Sequence, residues 1–457
     1  MGRSIPLWVL LLCLLLWLIF TVLFSWSVKS TLQGSDRTGA FGVAATEVAA
    51  FPSTAMTVIA ELRSYVTGSY RDADISVRRP ENADYSDFAP VEAATGLGVD
   101  GLVMRADKAR LPAAYRLLVG AFTFDGEIEN AALLLSPDLS IVKKWLLDEI
   151  AVGGLEPRPK FRKFVHGLDI LADGSLIYTF DGSISLQRTD ACNRRMWSTP
   201  GTFHHAVTAT EDGQHVWTLL NDDGLAKVAT VDGSIVQEIT MPEVIAANPG
   251  IDILEIRRLH GNDLGNNGRN TEGTWLEDPF HFNDVDPLPP SLAAQFPAFD
   301  EGDLLLSARS LNLVFVLDPD DLKIKWWRIG AVQRQHDPDW LENGEILVFN
   351  NRMSRDYSEI ISINPTTYQS QVVLPGAPRD FYTRIRGKQQ MTDGGGLVVT
   401  SPQQGWAFEV DADGNHVLDI INQKPDGQNN TNYVISEIKW FDEGHFNFEE
   451  WTCPPAN

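Results

Sequence analysis

Three histidines stand the same distance ahead of a turn glycine. His166 precedes Gly174 in HGLDILADG, His205 precedes Gly213 in HAVTATEDG, and His336 precedes Gly344 in QHDPDWLENGEILVFNN, each by eight residues. His281 opens a further segment of the same texture, so four of the nine histidines hold one place in a recurring unit. An imidazole titrates near neutral pH and can serve as nucleophile, general acid or base, or metal ligand. Any one of these is compatible with an ordinary core histidine. Four in register require a common cause, and a ring of repeats supplies one by aiming equivalent positions at a single axis.

Two features accompany this set. In Phe203-His204-His205 the rings alternate along a strand, and the spacing to Gly213 selects His205 as the inward one; a one-residue bulge would reverse the choice. Ser307-Ala308-Arg309 follows the strand candidate Asp303–Leu306 in the unit of His281, where a guanidinium offers a planar fork of donors to a tetrahedral oxyanion.

The elements that must position these residues are strands. From Tyr115 onward, short apolar alternations are separated by Asp-Gly, Asn-Gly and Pro-Asp turns. The units read Tyr115–Glu149, His166–Thr199, His205–Met241, His281–Ile329, His336–Leu374 and Gly387–Ile421. Each supplies up to about four strands at a period of about 40 residues, the content of one propeller blade. The expected fold is all-β, a six-bladed β-propeller, with Tyr433–Phe448 completing the first or last blade to close the ring. Two insertions interrupt the period, Pro242–Phe280, with HGNDLGNNGRNTEG in its middle, and Asp286–Asp300; long loops in compact repeats shape binding mouths.

Ahead of the repeats, Pro6–Val28 is an apolar run long enough to cross a hydrocarbon core about 30 Å thick, and SWSVKSTLQGSD after it offers no good cleavage site. The reading is an N-terminal transmembrane signal anchor over 1–28, a stalk or packing segment, part helical, over 29–110, and a catalytic propeller over 111–457. Thr46–Val66 is the helical part, interrupted early by Pro52. The bulk of the chain is expected outside the cytoplasm, single-pass in the inner membrane with the propeller in the periplasm. Cys13 lies in the span, leaving Cys192 and Cys453 as either a pair in an oxidising compartment or two lone thiols.

The net charge of −24 argues against nucleic acid, which is bound through clustered Lys and Arg, and serves solubility. There is no Walker loop, no G-x-G-x-x-G after a strand, no H-E-x-x-H and no G-x-S-x-G, so nucleotide, zincin and α/β-hydrolase chemistry has no foothold.

From about Tyr115 to Trp440 the chain resembles the bacterial arylsulfotransferases, which transfer sulfate between phenols without a nucleotide donor. The pieces that carry the resemblance are Asp278-Pro279-Phe280-His281-Phe282-Asn283, then Ser307-Ala308-Arg309 with Trp326, then Gln335-His336-Asp337 with Leu341-Glu342-Asn343-Gly344 and Phe349-Asn350-Asn351, in that order. The resemblance implies a six-bladed propeller, often periplasmic, whose channel histidine is transiently sulfated. Carried over by motif, His336 is that nucleophile, with His281, Arg309 and the inward ring of Phe203-His204-His205, taken as His205, around the sulfuryl group. Asn283 lies beside them, and His204 and His166 join as further substrate-binding residues, His166 by register alone. The implied partners are a phenolic sulfate donor and a phenol acceptor, with no cofactor and no metal. The chain departs from the family in carrying a membrane anchor in place of a cleaved signal, and its amino-terminal region does not match the β domain of better-known members.

The chemistry fits these residue types. Guanidinium and imidazole donors can neutralise a singly charged sulfuryl group without a metal, and a neutral imidazole held beside a guanidinium is a nucleophile near pH 7. His281 or His205 is then the general acid for the leaving phenolate, and the kinetics are ping-pong. Two other readings fit a propeller with axial histidines, a metal-dependent hydrolase with His ligands and a non-catalytic membrane-tethered binding propeller.

Overall fold

In a computed structural model, the structure describes residues 6–32, 36–67, 76–78, 98–157, 163–259, 274–276, 278–425 and 431–451. The middle of the first insertion, residues 260–273, and Cys453 lie outside them.

Six antiparallel sheets form a six-bladed propeller. The first blade runs, from the inside out, Ile435–Asp442, Ala114–Phe124, Glu127–Leu135 and Ile141–Leu146. Its inner strand comes from the carboxyl end of the chain and the other three from the start of the repeats, so one sheet closes the ring. The second to fifth blades are each four consecutive strands, with inner strands Val165–Ile170, Phe203–Ala209, Phe282–Pro287 and His336–Trp340. The sixth begins with Lys388–Met391 and ends with His416–Asn422, and Leu102–Ala106 adds a fifth, outermost strand. That last strand comes from the segment read as a stalk; as five residues at a sheet edge, it carries too short an alternation to stand out in sequence.

The turns follow from their residues. Between the first two strands of the fifth blade, Asn343 accepts the Glu345 amide at 3.0 Å and Gly344 takes φ 78°, a left-handed conformation that costs glycine nothing. Between blades the sheets pack face to face through alternating apolar residues. Trp326 and Trp340 with Phe296 fill the space between the fourth and fifth blades, and Trp145 with Tyr178 that between the first and second. The seam where the ring closes carries a buried ion pair, Arg116 of the first blade to Glu409 of the sixth, Nε to Oε2 at 2.7 Å with both side chains out of solvent. Arg116 also donates to the carbonyls of Ala114 at 2.9 Å and Pro112 at 3.2 Å, which satisfies the guanidinium in a dry site.

The inner strands share a second device. Five of the six slip register near their channel-entering end, leaving extra residues unpaired: Ser436 in the first, His166 in the second, His205 and Ala206 in the third, Asn283 in the fourth, and one residue's worth at Asp337-Pro338 in the fifth. A bulge bends the strand and re-aims its side chains, so the slip itself turns these residues toward the axis.

A separate compact unit comprises Met1–Arg71 and Glu255–Pro279. In it Leu7–Leu32 is one helix of mean hydropathy 2.9, long and apolar enough to cross a membrane. A second helix, Gly39–Thr67, runs through Pro52 without breaking, although a proline removes one backbone donor there. Gly42 lies where a Cβ would meet the hydroxyls of Thr31 and Thr38, so the glycine lets the two helices approach. Arg258–Leu259 and Thr274–Trp275 pair as a short ladder in the same unit.

Candidate active site

His336 opens the inner strand of the fifth blade and is 5% exposed. Its Nε2 receives the Arg386 backbone N–H at 3.0 Å, and an amide nitrogen can only donate, so Nε2 carries the lone pair. Its Nδ1 lies 2.7 Å from Asn351 Oδ1. The Asn351 amide nitrogen donates to the carbonyls of Thr383 and Arg386, which fixes Oδ1 as the atom facing the ring and therefore the proton on Nδ1. The ring is thus held as the Nδ1–H tautomer with its Nε2 lone pair covered by one amide. Burial keeps the ring well below the usual imidazole range, against the pull of the Asn351 hydrogen bond, and the Arg309 guanidinium adds to the effect.

The other rings form a file from this point. The ring centroids of His166 and His205 are 3.8 Å apart, and His281 is 5.2 Å beyond His205. His205 and His281 sit at φ 61° and 48°, and Asp337 at 51°; left-handed backbone at non-glycine residues stores strain of roughly 1–3 kcal/mol each and is concentrated at working sites. Burial holds His166 and His205 well below the usual range, helped for His166 by Arg386 and for His205 by His166. Both stand neutral at pH 7. His204 lies outside the file, its Nε2–H donating to the Asn221 carbonyl and its Nδ1 sharing one proton with His205 Nδ1 at 2.6 Å. The slip in this strand spans two residues, which preserves the alternation and leaves His205 as the ring within the cavity.

These groups enclose a cavity of about 20 Å³, lined among others by His166, His205, Asn283, His336 and Arg386, with room for about one water. Asn283 donates to the Gln335 carbonyl at 2.7 Å, while its Oδ1, buried, has no protein partner among the described residues. Four of the residues singled out from sequence, His166, His205, Asn283 and His336, are therefore brought into one lining. His281 joins through His205. Arg309 acts on His336 by charge, with its backbone N–H on the His281 carbonyl at 3.1 Å. Among the described residues no three His, Cys, Asp or Glu side chains are grouped so as to hold a metal ion.

Sequence reasoning missed Arg386, Lys388, Ser436 and the role of Asn351. Gly387 and Ser436 each precede a turn glycine, Gly395 and Gly444, by the same eight residues as the histidines. That interval was the available signal, obscured because neither position is a histidine. Gly387 has φ 116°, and a Cβ there would lie 2.5 Å from the Phe349 ring, so glycine alone lets the chain pass this close to Phe349, next to the Arg386 amide that meets His336. Arg386 stacks its guanidinium 3.4 Å from the Phe164 ring centroid at the cavity wall.

Asp337 turns away from the rings. It takes the Lys388 ammonium at 2.5 Å and the Gln389 backbone N–H at 2.6 Å, and so fastens the fifth blade to the sixth.

Fold and lining define the class, a six-bladed propeller with an axial histidine cavity. The family model described as Arylsulfotransferase (ASST) matches residues 167–423, more than half of the chain, and the protein belongs to that family. Membership supports arylsulfotransferase activity and small aryl substrates. No curated protein matches the chain. Among solved structures it is similar to a protein of unknown function from Bacteroides caccae, at 13% identity and TM-score 0.45 over 73% of this chain and 100% of that one. It is similar also to virginiamycin B lyase from Staphylococcus aureus, at 11% identity and TM-score 0.36 over 61% of this chain and 84% of that one. At such distances neither likeness bears on function.

Proposed function

We propose that the chain is a nucleotide-independent aryl-sulfate sulfotransferase that works through a sulfohistidine at His336. The observation that carries this reading is the tautomer: Asn351 holds the proton on Nδ1, and Nε2 keeps its lone pair toward a cavity lined by hydrogen-bonding and cationic groups. In the first half-reaction the Nε2 lone pair attacks sulfur, the bond from sulfur to the aryl oxygen breaks, and its electron pair departs with the phenolate. The Arg386 amide must leave Nε2 for this, and it is then placed to donate to a sulfuryl oxygen together with Arg309 and His281. In the second half-reaction a phenol oxygen attacks the same sulfur and gives up its proton, which balances the one taken up by the departed phenolate; the bond to Nε2 breaks, and the ring regains its lone pair. His205, held neutral by burial, serves as a hydrogen-bonding group and not as an imidazolium acid.

The cavity is smaller than a sulfuryl group with its aryl ring, so side chains at its wall move when substrate binds, Arg386 and Phe164 first. The helix Leu7–Leu32 anchors the protein in the inner membrane with the propeller in the periplasm, an assignment supported by the disulfide engagement of Cys192, which suits an oxidising compartment. Mass spectrometry of protein quenched during turnover with an aryl sulfate tests the reading: a gain of about 80 Da on the peptide containing His336 is expected, and its absence while phenol is released would refute it.

A further inference from the structure

A second cavity, of about 240 Å³, lies along the inner strands and is lined by Asp169, Asp284, Asp286, Asp337, Asp339 and Glu437 together with Lys388 and Lys439. Among the described residues, Lys388 is the one that lines both this cavity and that of the histidines. Its ammonium donates to Asp337 Oδ1 at 2.5 Å and Asp284 Oδ1 at 3.4 Å. An ammonium has three donors, and the third has no protein acceptor among the described residues.

Transfer between phenols has a proton to account for. The departing phenolate needs one, and the incoming phenol gives one up. His166 and His205 are neutral, and a neutral ring that gives up its proton becomes a strongly basic anion, so neither is the source; His281 lies beyond His205, outside the lining of the cavity that holds His336, and is assigned to a sulfuryl oxygen. We propose that Lys388 conducts this proton: its ammonium protonates the leaving aryl oxygen, Asp284 reprotonates the resulting amine, and the next phenol returns the proton to Asp284 along the same path. One proton leaves with the first phenol and one is recovered from the second, so the pair of half-reactions balances without an outside acid.

The surroundings suit a store of this kind. Burial, opposed by Lys388 and assisted by Asp337, raises the Asp284 carboxyl to about 7, so a large share of it is protonated at neutral pH. Asp286 and Asp339 are raised well above the usual range by burial and by the carboxylates around them. Glu437 is raised too, by burial, while Lys439 and Asp169 pair with each other at 2.9 Å on the far side. From the histidine side, His336 and His166 face Lys388 as neutral rings. Among like charges a carboxylic acid in this channel is the low-energy form, and Lys388 stays an ammonium because the Asp337 carboxylate, first among its neighbours, holds it so against the cost of burial.

This inference rests on the proposed aryl-sulfate chemistry but not on the identity of the nucleophile. Its test uses the full chain and two donors, phenyl sulfate, whose phenol has a pKa of about 10 as for tyrosine, and p-nitrophenyl sulfate, whose phenolate leaves without help. In the wild type kcat/KM for phenyl sulfate should fall as pH rises through about 7, while p-nitrophenyl sulfate shows no such limb. Asp284→Asn should lose that limb and slow phenyl sulfate by about 10²-fold or more, with p-nitrophenyl sulfate within a few-fold. Lys388→Met should show the same split, and an Asp284→Asn/Asp339→Asn double variant guards against one carboxyl replacing another. Equal slowing of both donors would mean a structural role, and an unchanged limb in the double variant would place the acid elsewhere; either overturns the proposal. Failure to find sulfate on His336 would refute the sulfohistidine and leave this split standing.

Discussion

Replacing Asn351 by alanine should separate catalysis by an oriented ring from mere presence of a histidine. The side chain is fully buried, accepts from His336 Nδ1 at 2.7 Å and donates to the Thr383 and Arg386 carbonyls. Its loss leaves a buried Nδ1–H unpaired, at about 1–3 kcal/mol, and frees the ring to take the other tautomer, which puts a proton on the attacking nitrogen. If that cost falls on the reactive orientation, at about 1.4 kcal/mol per tenfold, the single-turnover rate of sulfation drops by roughly 10- to 100-fold with little change in donor affinity. Asn351→Asp keeps the shape but sets a carboxylate against Nδ1–H. It favours imidazolium, so the variant should gain an acidic limb, its rate falling as pH drops toward 6 where the wild type, with His336 far below the usual range, stays level. Rapid-quench measurement of phenol release across pH reads both. Rates within about threefold of wild type in Asn351→Ala, in protein whose Tm shows it folded, would refute the tautomer argument.

Other expectations follow from the same geometry. Arg116→Met should cost about 3–5 kcal/mol in denaturant unfolding by stranding Glu409, and adding Glu409→Met should restore most of it; equal loss in both would show that the pair does not hold the seam. Asp284, Asp286, Asp339 and Glu437 are raised in the folded state, so their contribution to stability is complete below about pH 4 and is lost as pH rises through their folded values, about 7 for Asp284. The lowered histidines act oppositely, losing their contribution as pH falls below 6.5, so above pH 7 only the carboxylate trend remains. Tm should therefore decline from about pH 6.5 to about 8, less steeply in Asp284→Asn, and a wild-type Tm flat over that range would contradict the assigned protonation.

The architecture was legible because blade after blade repeats one pattern, apolar alternation stopped by a glycine turn, and a one-residue error in a strand boundary does not disturb that period. The fifth strand of the sixth blade, Leu102–Ala106, was not, since it lies far in sequence from its partner His416–Asn422 and only the closed ring brings them together. Register marks the axial position, and only where that position holds a histidine does its residue type also announce chemistry. Arg386, Lys388 and Ser436 reach the same cavity from blades whose register position is filled otherwise. The choice between His204 and His205 depended on the length of a bulge, a backbone property that two adjacent identical residues cannot reveal. Nor could the sequence report that Asp337 faces Lys388 and that Asn351, just past the end of the next strand, is the residue that orients His336.

The central claim is covalent, and the most direct measurement is mass spectrometry of the full-length protein quenched within the first turnover on p-nitrophenyl sulfate. The account predicts an adduct of about 80 Da confined to His336, formed as fast as p-nitrophenol appears, discharged by added phenol and absent in His336→Asn. Release of p-nitrophenol at the wild-type rate by His336→Asn, or an adduct on another residue, would contradict it.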